Sequence, residues 1–89
     1  MVKRRHVEQL VGAAVRVVWH DAVGLTEGWS TVDELINAEL PKCETVSFLV
    51  HVSETALHLA STRSADGVAG TSLIPLAWVS EATRVAENS

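Results

Sequence analysis

The chain reads as a mainly β domain with one short helix: a small, strongly bent antiparallel barrel of four to five strands. Three observations predict this. Runs of alternating apolar and polar residues rich in β-branched side chains recur at 15–20, 46–52 and 55–61. Turn chemistry separates them, with Ser53-Glu54, Asp66-Gly67 and Pro75 at the breaks. The chain has only 89 residues, so closure of a bent sheet is the economical way to remove exposed edges.

The elements follow in order. Residues 1–13 form an amino-terminal extension, read as a weak amphipathic helix or a frayed, disordered segment, with Val7, Leu10, Val11 and Ala14 at helical spacing and Gly12 near its end. The folded domain is expected over 14–86, with 87–89 as a tail. Strand 1 begins at Val15, where Val15, Val17 and Trp19 alternate with Arg16, Val18 and His20. Gly24, Thr26 and Gly28 then mark a loop that carries Trp29.

Ser30 and Thr31 precede Asp33 and Glu34 at the spacing of a capping box, so a short helix is expected there, ending before Pro41 and plugging one end of the sheet. Val46, Phe48, Val50 and Val52 define strand 2; Ala56, His58 and Ala60 define strand 3 and complete a hairpin. The segment 61–71 holds few large apolar residues and reads as a long loop or an elongated hairpin tip. Strand 4 covers 71–74 and ends at Pro75, which cannot donate to an interior ladder. A tight turn at Leu76-Ala77 leads to a last strand over 78–85.

Composition narrows the function classes. Eleven acidic residues against seven basic give a formal charge of −4, which lacks the excess that drives binding to duplex DNA. Lys3, Arg4 and Arg5 are clustered in the extension, either as a solvated terminus or as a nucleic-acid contact. The single cysteine, Cys43, has no internal disulfide partner and points to a reducing, cytoplasmic setting. No apolar run reaches transmembrane length, so no membrane role is expected.

Chemistry-bearing residues are few. Trp19 can stack on a flat ring or fill the core, and Asp21, on the same face by strand alternation, can accept ligand hydrogen bonds or cap the next loop. Trp29 sits among glycines, where it stacks on ligand or covers the helix entrance. Ser61, Thr62, Arg63 and Ser64 form the most donor-rich cluster; Arg63 with hydroxyl neighbours suits a phosphate, and a solvated loop is the simpler account. Arg16 is a second cation able to face such a site. Trp78 packs between barrel and helix or between subunits. His51 and His58 can face each other across the hairpin, yet lack the further ligands a metal site needs. His20 and Asp21 are sequence neighbours, so a strand points them apart and no catalytic dyad forms. An enzyme is not expected, and neither is a cofactor.

At the Ile74-Pro75 step, the hairpin, variable loop, apolar-Ile-Pro step and final strand resemble Sm-like and related small β-barrels. The pattern Val15-x-Val17-x-Trp19-x-Asp21-Ala22, then Trp29, Phe48-Leu49-Val50, Leu59-Ala60-Ser61 and Ile74-Pro75-x-x-Trp78 is similar to short proteins encoded by phages and prophages. The similarity covers about residues 14 to 85, and the amino-terminal extension departs from it. It implies a non-enzymatic, homo-oligomeric protein of the bacterial cytoplasm that binds, and as an anti-defence sponge sequesters, a small nucleotide-like immune signal. Trp19, Asp21, Trp29, Ser61 and Arg63 are the expected ligand-binding residues. The alternative is an Sm-like RNA-binding protein or scaffold.

Overall fold

Alternation and turn chemistry build one antiparallel sheet in a computed structural model of the chain, which describes residues 2–21, 31–36 and 39–85. Its five strands are β1 (Ala14–His20), β2 (Lys42–Val52), β3 (Ala56–Ser64), β4 (Gly67–Pro75) and β5 (Val79–Arg84), in the order β4-β3-β2-β1-β5. Two short helices accompany them, α1 (Arg4–Glu8) and α2 (Val32–Ile36), with a 3-10 turn over Leu76–Trp78. Among the described residues no helix is long and apolar enough to cross a membrane.

Strand β2 bends and serves two partners. Its residues 42–48 pair with β1, whereas 48–52 pair with β3, so the ladder changes hands at Phe48. A register shift between Leu49 and His51 marks the corner, as β-bulges do where a sheet turns. One apolar face then closes on itself: Val15, Val17, Leu49, Leu57, Leu59, Ile74, Val79 and Ala82 are all buried. Val7 and Leu10, from the amino-terminal extension, complete this core; each contributes about 1.5–3 kcal/mol by leaving water.

The expected barrel is not closed. The outer strands β4 and β5 do not pair with each other, and the 3-10 turn spaces them apart, anchored by the Leu76 N–H donating to the Thr55 carbonyl at 2.8 Å. The Glu34 N–H donates to Thr31 Oγ1 at 3.1 Å, fulfilling the predicted cap of α2, whose Val32 is exposed; the Leu35 and Ile36 side chains expected to plug the sheet lie outside the described residues. α1, through Val7, sits over the core.

Segment 61–71 takes the second of its two expected forms, an elongated hairpin tip and not a long loop. β3 and β4 stay paired to Ser64 and Gly67 across the two-residue turn Ala65-Asp66. Ser64 Oγ accepts from the Asp66 N–H at 3.2 Å, so that hydroxyl serves the turn. Every residue from Ser61 to Leu73 is exposed, which makes this part a two-stranded ribbon standing clear of the core.

Candidate ligand-binding site

The change of partner at Phe48 leaves a gap in the sheet, and the gap is where cations gather. Past the Phe48–Ala60 pair, β2 follows β1 while β3 follows β4. The extension enters here: the Gly12 N–H donates to the Leu49 carbonyl at 2.8 Å, and Leu49 N–H donates to the Ala13 carbonyl at 3.0 Å. Gly12 takes φ of +94°, a conformation that a side chain disfavours, and its carbonyl thereby faces the ribbon.

Arg63 crosses the gap. Its Nη1 donates to the Gly12 carbonyl at 2.7 Å, and its guanidinium carbon lies 4.2 Å from the centre of the Phe48 ring. The cation is thus held by a charge-assisted hydrogen bond and an aromatic face, the second worth about 0.5–1 kcal/mol when exposed. Beside it a cleft of about 380 Å³ opens between Gly12, Phe48, Arg63, Arg84 and Val85. Two guanidinium groups and no carboxylate line it among the described residues. Such a cleft attracts a small anion, and an arginine already fixed in place loses less side-chain entropy on gripping one.

The other predicted residues lie at the far end of β1. Trp19 pairs with Cys43, and Ala14 with Phe48, so the two ends are five residues apart, about 17 Å at ~3.4 Å per residue. The Trp19 indole N–H donates to Thr45 Oγ1 at 2.9 Å, its ring packs on the core, and it lies parallel to Trp78 with centroids 6.3 Å apart. Asp21 is half-buried, its backbone N–H bonded to the Pro41 carbonyl, while its carboxylate makes no hydrogen bond or ion pair among the described residues. A second hollow at this end, about 280 Å³ between His20, Leu40, Trp78 and Ser80, is lined by no arginine or lysine among the described residues.

The structure therefore divides the predicted set. Ser61 and Arg63 lie on the ribbon strand, Trp19 and Asp21 lie together at the opposite end, and Trp29 falls outside the described residues. Ser61 turns to its own ribbon, with Oγ 3.5 Å from the Ala69 carbonyl. Arg16 is committed elsewhere, bridging Glu44 and, at 3.8 Å, Glu81. His51 and His58 meet edge to face with centroids 5.1 Å apart, and no cluster of three metal-ligating side chains occurs among the described residues. The sequence reasoning missed Gly12, Phe48 and Arg84. Gly12 was legible as a helix-ending glycine and Arg84 as a lone late cation, but only the corner in β2 brings them beside Arg63.

Comparison of the chain with protein-family models, curated proteins and solved structures finds no match.

Proposed function

We propose that this chain is a non-enzymatic binding module, acting as a homo-oligomer, that holds a small phosphate-bearing, nucleotide-like ligand in the cleft between Gly12, Phe48, Arg63 and Arg84. One observation carries the reading: Arg63 is fixed by the Gly12 carbonyl and the Phe48 ring at the rim of a cleft that Arg84 also lines. A guanidinium so placed offers donors to a phosphate and a flat cation on which a base can stack. The phage-protein resemblance adds the purpose, sequestration of a nucleotide immune signal in the bacterial cytoplasm.

Titration calorimetry of the full chain against cyclic dinucleotides, cyclic ADP-ribose isomers and inorganic phosphate tests this. At least one nucleotide is expected to bind, and Arg63→Ala to weaken it about 10- to 100-fold, the worth of one hydrogen bond to a charged group. Silence across the panel, or binding that Arg63→Ala leaves unchanged, overturns the site.

A second reading is an Sm-like RNA-binding scaffold. Supporting it is the element order: a leading helix, β1, the short α2, the three successive strands β2 to β4, a 3-10 turn and a fifth strand returning to pair with β1. The basic residues Lys3, Arg4 and Arg5 supply its electrostatics, reduced by the Arg4–Glu8 ion pair at 2.8 Å. Filter binding of single-stranded RNA over a salt series separates the readings, since affinity that falls steeply with salt belongs to the scaffold.

A further inference from the structure

The two outer strands of the sheet are finished in opposite ways. β5 is six residues long and carries Glu81 and Arg84. The amino-terminal segment lies along it: the Val2 N–H donates to the Val79 carbonyl at 3.2 Å, and His6 Nε2–H donates to the Ala82 carbonyl at 3.0 Å. β4 is nine residues long, Gly-Val-Ala-Gly-Thr-Ser-Leu-Ile-Pro, without one charged side chain. Among the described residues it has β3 on one side and no strand on the other. Natural sheets guard such an edge with charge, proline, brevity or a covering element. Among the described residues the only guard is Pro75, at the end that already meets the core.

The ribbon adds a second argument. Beyond the Ala60–Thr71 pair, β3 and β4 have no further strand partner among the described residues and are tied back by Arg63 to Gly12 and Phe48, and two strands alone are marginal in water. Val68 and Leu73 on β4 remain 48% and 64% exposed, beside Val50 and the His51–His58 pair in a hollow of about 360 Å³. Another strand on β4 would give the ribbon a hydrogen-bonded neighbour and shield both side chains.

We propose that β4 is a self-association interface, in which two copies of this chain pair β4 to β4, antiparallel, about a two-fold axis. The occupant is a second copy for two reasons. Contact between uncharged strands brings no like charges together, although each molecule carries −4. Because β5 is covered and β4 would pair with its own equivalent, the same surface is used up on both copies, so pairing closes at two copies instead of propagating head to tail. The product is a continuous β3-β4-β4-β3 layer. The inference rests on the self-association part of the proposed function and is independent of the anion cleft.

Light scattering on the eluting full-length chain, with circular dichroism as the control for folding, tests it. Full overlap of two β4 strands sets Thr71, their midpoint, across the axis from its own equivalent. The expected result is a dimer that Thr71→Lys weakens at least about tenfold, because like charges directly opposite are unfavourable. Leu73→Glu is expected to act likewise from the exposed apolar side. In a Cys43→Ser background, Thr71→Cys is expected to oxidise to a covalent dimer with no higher species. A stable wild-type monomer overturns both this inference and the self-association reading, leaving the ligand site untouched. An oligomer indifferent to both charged variants overturns the β4 interface alone. Higher oligomers that Thr71→Lys dissolves but Thr71→Cys fails to cross-link overturn the two-fold arrangement.

Discussion

The ribbon formed by residues 61–73 of β3 and β4 and the core-covered remainder of the sheet use the same strand chemistry to different ends. In the core half, apolar side chains from all five strands meet α1, and nearly every alternate residue of β1 is buried. In the ribbon, residues of equal β-propensity are exposed throughout. The difference is one of partners: β2 leaves β3 at Phe48, and from there the ribbon lacks a second layer. Local sequence made both regions strands; the corner in β2 decided which of them became core.

Substitutions can break or sharpen this contrast. The largest effect is expected at Leu49, which stands at the corner and is 1% exposed. Leu49→Ala should cost about 2–5 kcal/mol in denaturant-induced unfolding and loosen both halves together. A loss confined to one half would mean that the two do not share a core.

Gly70→Ala should act on the ribbon alone. Gly70 has φ of +64°, and a Cβ there would clash with Ser61 Oγ. The backbone term alone is about 1–2 kcal/mol, with steric cost added. Hydrogen exchange should accelerate in 61–71 while β1 stays protected. The double variant Ser61→Gly with Gly70→Ala should recover the steric part only, separating the two causes.

At the core-covered end, Thr45→Val removes the acceptor of the Trp19 indole and should cost about 1–3 kcal/mol, since the half-buried N–H loses its partner. Wild-type stability in this variant would mean that water replaces the hydroxyl.

The smallest effect is expected at Arg16→Ala, whose partners Glu44 and Glu81 are more than half exposed. About 0–1 kcal/mol is expected, fading with added salt. A larger, salt-insensitive loss would show that the stem of Arg16, not its charge, matters.

Much of the strand map was legible because it is local. Period-two runs located β1, β2 and β3, Pro75 ended β4, and Thr31 with Glu34 marked the start of α2. What escaped was long-range. The extension looked like a frayed helix because its apolar anchors, Val7 and Leu10 with Val2 partly buried beside them, are few; their burial depends on a mouth that the sheet makes. The segment 61–71 was open between a loop and an elongated hairpin tip because its residues are small and polar, features of an exposed ribbon as much as of a coil. The site was half legible. Arg63 stood out by its chemistry, whereas its union with Gly12 and Phe48 spans 51 residues of sequence and requires the corner. Trp19 and Asp21 drew attention by residue type, but the indole is already hydrogen-bonded and packed in the fold.

The double allegiance of β2 also orders events in time. Its carboxyl-terminal half meets β3 across the short turn 53–55, held by the Ala56 N–H donating to Ser53 Oγ at 3.1 Å, and β3 meets β4 across two residues. Its amino-terminal half waits for β1, and β1 in turn pairs with β5 from the opposite end of the chain, Val15 with Arg84. Closing short loops loses less entropy than joining distant segments, so the β2–β3–β4 meander is expected to assemble in the rate-limiting step of folding and the β1–β5 seam to zip afterwards. Leu57→Ala should then slow refolding, whereas Ala82→Gly should chiefly hasten unfolding, a division that stopped-flow kinetics reads directly.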